Sequence, residues 1–194
     1  MKPWIFLICM FATCHLVAQN DTVKIHDAGD KMVLQLGDSV VTVSYETLYI
    51  TYLEKGVEKA QNGEFEAAIS DFDLATLYLN TDAQLYFNRG LAYYNLHRYE
   101  NALRDFNVAI GLDSSYSEAY NQRAITKCLQ GFYVESLPDF QKAIDLRPEE
   151  GMNYHNKAVA HLQLGEIEVA CALLKKALSL GYASSEALIQ EYCD

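Results

Sequence analysis

Residues 83–116 read AQLYFNRGLAYYNLHRYENALRDFNVAIGLDSSY, and the next 34, 117–150, read SEAYNQRAITKCLQGFYVESLPDFQKAIDLRPEE. Set one under the other, the two lines agree in register, and the agreement extends one line upstream and one downstream. Four lines result: 49–82, 83–116, 117–150 and 151–184. Their fourth positions are Tyr52, Tyr86, Tyr120 and Tyr154, and their eighth are Gly56, Gly90, Ala124 and Ala158. Each line turns at its middle, on Gly63-Glu64-Phe65, His97-Arg98-Tyr99, Gly131-Phe132-Tyr133 and Gly165-Glu166-Ile167. After the turn come a small and an apolar residue four apart, Ala68 with Phe72, Ala102 with Phe106, Ser136 with Phe140 and Ala170 with Leu174. Ala75, Ala109, Ala143 and Ala177 close the lines, and Pro148 ends the third.

Between the turns the apolar residues follow helical spacing, so each line reads as two antiparallel helices. Small residues on the first helix let the second cross it closely, with Ala68, Ala75, Ala102 and Ala109 expected to face Gly56 and Gly90. One helix pair cannot bury its own apolar face. Stacked pairs share a continuous core, and their ends need caps. Residues 185–194 read as a C-terminal capping helix with Ala187 and Leu188 on its apolar face, and Ser44 is a good N-cap for a helix starting near Tyr45.

The pattern resembles the tetratricopeptide repeat. That resemblance implies an all-α fold, a right-handed superhelix of four helix-turn-helix repeats (residues 45–184) closed by the capping helix. It also implies a concave groove lined by the first helix of each repeat, where relatives bind peptides or partner proteins. The groove candidates here are Leu53, Glu54 and Val57; Phe87, Asn88 and Leu91; Asn121, Gln122 and Ile125; His155, Asn156 and Val159. Carboxamides offer donors and an acceptor to an extended backbone, and the aliphatic row accepts side chains. The same amides also serve if they only hydrate an apolar wall while partners use the convex face. A well-known mode of the family grips C-terminal carboxylates with basic residues at places that here hold Leu53, Glu118 and Gln122, and only Asn88 matches it.

A second series is electrostatic. Lys55, Arg89, Arg123 and Lys157 recur at the seventh position, where the family expects an apolar residue. Asp71, Asp105 and Asp139 follow the first three by 16 residues, and Leu173 replaces the fourth acid. The spacing predicts intra-repeat ion pairs, each worth under about 1 kcal/mol if partly exposed. A net charge of −11, with 15 basic against 26 acidic residues, argues against a nucleic-acid partner or an anionic membrane surface.

The basic start and short apolar run of residues 1–18 read as a secretory signal peptide cut after Ala18. A rival reading makes Phe11-Ala12-Thr13-Cys14 a degenerate lipobox, with Cys14 acylated and membrane-anchored. Export leaves Cys128, Cys171 and Cys193 in an oxidising compartment. Cys171 and Cys193 are candidates for a bridge, worth about 3 kcal/mol by chain entropy, or else are two small buried apolar residues. The ending Leu180-Gly181-Tyr182 through Tyr192-Cys193 resembles that of exported repeat proteins of Gram-negative bacteria, which places the chain in the periplasm or cell envelope, or beyond it as a secreted protein. In the leader, residues 19–44, two apolar runs flank Gly37-Asp38 and suggest a β-hairpin over 32–43 that pairs Leu34 with Val41 and Met32 with Val43. An irregular segment is the alternative. Either offers a cap for the first repeat or a strand for another protein's sheet edge.

No catalytic chemistry is legible. The five histidines form no ligand pair, and His161 takes the place of a core aromatic. No phosphate loop, nucleophile elbow or metal-spaced cysteine set occurs, so no cofactor or metal is expected. Two functions remain. The first is a non-catalytic interaction module holding a peptide or partner protein in its groove, as a scaffold or assembly factor. The second is a structural component that self-associates, or docks on a membrane complex through its N-terminal segment or convex face.

Overall fold

The computed structural model describes residues 24–36 and 38–193; residues 1–18 and Cys14, read above for export, lie outside the described residues. The chain divides into two units, Met1–Leu48 and Tyr49–Asp194.

In the first unit, β1 (Lys24–Asp27), β2 (Lys31–Leu36) and β3 (Ser39–Ser44) form an antiparallel sheet in that order. Met32 pairs with Val43 and Leu34 with Val41, the register that puts these four apolar residues on one face. The hairpin gains a third strand, because β1 pairs Ile25 with Leu34 and Asp27 with Met32. With only Lys-Ile-His-Asp to read, β1 has too few apolar residues to stand out in sequence. Ser44 Oγ accepts from the Thr47 amide at 3.0 Å and caps α1 (Tyr45–Gln61).

The second unit is a run of helices. After α1 come α2 (Phe65–Thr76), α3 (Ala83–Asn95), α4 (Tyr99–Leu112), α5 (Ser117–Leu129), α6 (Tyr133–Leu146), α7 (Gly151–Gln163), α8 (Ile167–Ser179) and α9 (Ser185–Tyr192). From α2 to α9 each helix packs on its sequence neighbours, and α5 also meets α7. Each half-turn of the repeat places its fifteenth residue in the left-handed region: Gly63, Gly131 and Gly165 at φ 76–83°, and His97 at φ 58°. His97 holds a conformation that disfavours a Cβ, and its ring bonds the Tyr99 hydroxyl at 2.8 Å.

The eighth-position residue is the seat of the aromatic at position 24. A Cβ on Gly56 would lie 2.5 Å from the Phe72 ring, and one on Gly90 2.7 Å from Phe106. The phenyl rings, rather than the alanines, come nearest these glycines. Phe72, Phe106, Phe140 and Leu174 are fully buried, and in the third repeat Ala124, Phe140 and the next repeat's Ala160 share one cluster.

Acids and cations pair at the predicted spacing in the second and third repeats, and the network extends beyond it. Arg89 grips Asp105 through Nε and Nη2, each at 2.8 Å, and Arg123 grips Asp139 in the same way at 2.9 and 2.5 Å. In the first repeat Asp71 meets Lys59 at 2.5 Å, and Lys55 Nζ lies 5.6 Å from the centre of the Tyr52 ring. Lys59 is one turn further along the same helix face, at position eleven, and Lys127 at that position of the third repeat likewise reaches Asp139 at 2.6 Å. The seventh-position cations also reach back 16 residues to the preceding repeat: Arg89 to Asp73 at 2.7 Å, Arg123 to Asn107 at 2.6 Å and Lys157 to Gln141 at 2.5 Å. Arg89 and Arg123 therefore tie their own second helices to those of their predecessors, while Lys157, whose acid position holds Leu173, ties its first helix to the preceding second helix. Asp71, Asp105 and Asp139 are only 4–6% exposed, so removing a cation strands a buried carboxylate, which costs more than losing a surface pair.

The C-terminal end is closed. Leu188, Ile189 and Cys193 of the α9 segment pack with Leu162 and Leu173 around Ala158, Ala170 and Leu174, while Ala187 is exposed. Leu173 occupies the place of the missing acid because that position faces the cap. Cys171 and Cys193 are disulfide-bonded, with Cα atoms 5.6 Å apart.

Candidate functional site

The twelve groove candidates lie on α1, α3, α5 and α7, and seven of them line two cavities. The first, of about 270 Å³, lies between α1 and α3 and is lined by Val57, Asn88 and Leu91 with Gln61, Phe65 and Asn95. The second, of about 290 Å³, is lined by Phe87, Asn121, Gln122 and Ile125 together with residues of α7 and the loop before it. An apolar row and a carboxamide row thus border each cavity.

The remaining candidates differ in availability. Glu54 is exposed, and Leu53, Asn156 and Val159 are half-buried. Asn121 is 3% exposed and accepts from Asn156 Nδ2 at 3.1 Å, so these two amides bond each other across adjacent repeats. Asn88 and Gln122 are the amides left to face a ligand. His155 is turned to the cap: its Nδ1 is 3.0 Å from Ser185 Oγ, and its ring centre is 5.0 Å from that of Tyr182. Burial there pushes its pKa down.

The second cavity contains residues that the register did not single out as groove-lining: Ser117, Glu118, Arg147, Glu150, Met152 and Asn153. Ser117 Oγ and Asn153 Nδ2 both donate to the Ala143 carbonyl, at 3.1 and 3.3 Å, and fix α5 and α7 to the end of α6. Arg147 Nη1 lies 2.6 Å from Glu118 Oε1 and 3.8 Å from Glu150 Oε2. Phe87 packs at 4.8 Å on Tyr116, whose hydroxyl is pushed up to about 12, first by burial and then by the charges of Glu118, Asp82 and Asp113. Position two, held by Glu118 and Met152, was legible as a groove position. Arg147 and Glu150 were not, because they sit in an inter-repeat loop outside the helical register.

Among the described residues, no three His, Cys, Asp or Glu side chains are placed to hold a metal ion, and no helix is long and apolar enough to cross a membrane. Cys171 is consumed by its bridge. Cys128 Sγ donates to Ser136 Oγ at 3.1 Å, and burial pushes that thiol's pKa up, away from nucleophilic use.

Residues 83–116 and 153–180 each match a tetratricopeptide-repeat model. Among solved structures, the crystal structure of MamA superposes with a TM-score of 0.67 at 21% identity, over 74% of this chain and 88% of that one. MamA 41-end from Desulfovibrio magneticus RS-1 gives 0.65 at 18% identity, over 69% and 75%. The second TPR domain of human RPAP3, solved by NMR in complex with the HSP70 peptide SGPTIEEVD, gives 0.58 at 26% identity, over 60% of this chain and 98% of that one. No curated protein matches the chain. The chain therefore carries tetratricopeptide repeats in a helical solenoid.

Proposed function

We propose that this repeat solenoid is a non-catalytic interaction module that holds an extended peptide or partner segment in the groove of α1, α3, α5 and α7. The carrying observation is that seven of the residues chosen by register border two cavities along that face, with Asn88 and Gln122 beside Val57, Leu91, Phe87 and Ile125. Peptide binding by the similar human RPAP3 domain supports the reading. The basic residues with which the family grips C-terminal carboxylates are replaced here by Leu53, Glu118 and Gln122, with only Asn88 matching, so a partner of different chemistry from that peptide is expected. We place the protein outside the cytoplasm, as a scaffold or assembly factor of a Gram-negative cell envelope. The Cys171–Cys193 bridge supports an oxidising compartment, and residues 1–18 have the pattern of an export signal.

The test is affinity capture of partners from envelope extract by the wild-type chain, by Asn88→Ala/Gln122→Ala, by Leu91→Arg/Ile125→Arg, and by a control, Val108→Arg, on α4. Loss of the same captured protein in both groove variants, with retention by the control, supports the groove. Unchanged capture by the groove variants sinks it.

A second reading, self-association or docking through the N-terminal segment, has one observation in its favour. On β3, an edge of the described sheet with no charged residue from Ser39 to Ser44, Val40 and Val41 are 58% and 55% exposed. Light-scattering mass that rises with concentration, and falls back to monomer in Val41→Lys, is the result this reading requires.

A further inference from the structure

We propose that the cavity between α3, α5 and α7 is an anchor pocket for one basic side chain, a lysine or arginine, of the bound peptide; this rests on the groove reading and names its ligand class. At about 290 Å³ the cavity lies at the bottom of the size range of small-molecule sites, roughly 300–1,000 Å³, and suits one long side chain. Phe87, Ile125 and Met152 supply apolar wall for an alkyl stem. The charged lining is two carboxylates, Glu118 and Glu150, against one cation, Arg147. Arg147 satisfies only one oxygen of Glu118. The other, Oε2, is covered from solvent and has no hydrogen-bond partner among the described residues. Glu150 stands 3.8 Å from Arg147, beyond hydrogen-bond length, and keeps capacity for a second donor.

A guanidinium or ammonium arriving along the apolar wall completes this set. It balances the excess negative charge, with Glu150 as its nearest free acceptor. An acidic side chain or a free C-terminal carboxylate would sit against two like charges with only Arg147 between them. A purely apolar side chain would fill the walls but leave the excess negative charge unbalanced. The upward push on the neighbouring Tyr116 hydroxyl, in which Glu118, Asp82 and Asp113 outweigh Arg147, is consistent with a negative field at this end of the groove. Gln122, on the same lining, is placed to hold the peptide backbone beside the anchor.

The experiment is fluorescence anisotropy of the mature chain with four pools of labelled nonapeptides. Flanks are randomised, and the central residue is arginine, lysine, norleucine or glutamate. The arginine and lysine pools are expected to bind about tenfold or more tighter than the norleucine and glutamate pools. The advantage over norleucine should shrink to about threefold or less in Glu118→Gln, and by a smaller factor in Glu150→Gln, with helical circular dichroism confirming that both variants fold. Binding that is abolished by Leu91→Arg/Ile125→Arg but shows norleucine equal to or better than lysine overturns the anchor and leaves the groove standing. A preference for glutamate does the same. Binding of no pool removes the groove reading, and the anchor with it.

Discussion

Arg89→Met and Arg123→Met remove the same residue from the same position of adjacent repeats, yet the structure predicts unequal losses. Arg89 donates to both oxygens of Asp105, an acid whose side chain is 8% exposed. Truncating one partner of a buried pair costs about 3–5 kcal/mol, because the remaining charge is stranded. Arg89 itself is 16% exposed and its third bond goes to the half-exposed Asp73, which places the expected loss at the lower end, about 3 kcal/mol. Arg123→Met strands Asp139 far less, since Lys127 still stands 2.6 Å from its Oδ2. That loss should be about 1–2 kcal/mol. The difference corresponds to a gap of roughly 4 °C between the two melting temperatures. Urea unfolding followed by circular dichroism, with thermal melts as a second readout, measures both. Equal losses, or a larger one for Arg123→Met, would refute the assignment of Lys127 as a second partner of Asp139.

Reducing the Cys171–Cys193 bridge, or making Cys193→Ala, should remove about 3 kcal/mol from the end of the solenoid, given a loop of 22 residues. Because repeats contact only their neighbours, hydrogen exchange should rise in α8 and α9 and stay unchanged in α2 to α4. Gly90→Ala should destabilise by about 1–2 kcal/mol in chemical unfolding, since its Cβ would press on Phe106, while Ala124 above Phe140 shows that a repeat can absorb the methyl group by a shift. His97→Gly should stabilise by up to about 1 kcal/mol in the same assay, by relieving a left-handed residue that bears a Cβ. His155, whose pKa burial lowers, makes the cap acid-sensitive: its contribution is present above the ordinary histidine value of 6.5 and is lost as pH falls through the depressed one. A thermal-melt series from pH 7.5 to pH 4.5 should therefore show part of its decline abolished in His155→Gln.

The helices and their pairing were legible because Gly56, Gly90, Phe72 and Phe106 repeat in register and each does one packing job. The ion pairs were legible at Arg89 and Arg123, where the position-seven arginines fork onto acids 16 residues on. The lysines at position eleven, Lys59 and Lys127, were missed, because they lie one turn further along the same helix face and reach Asp71 and Asp139 from there. Burial of those acids could not be read from a pattern that also suits a solvated face. In the groove, Asn88 and Gln122 looked equivalent to Asn121 and Asn156, yet the latter pair bond each other across the repeat junction. Such contacts depend on how two repeats sit together and leave no trace in the register of either. Arg147 and Glu150 escaped for a related reason, since loop residues have no periodicity to betray the face they join.

Hydrogen–deuterium exchange of residues 19–194, alone and bound to a captured partner or to an arginine-centred peptide, tests the central claim most directly. The account predicts slowed exchange in α3, α5 and α7, centred on residues 87–91, 117–125 and 152–156. Protection confined to α2, α4 and α6, or to β3, with these segments unchanged, would contradict it.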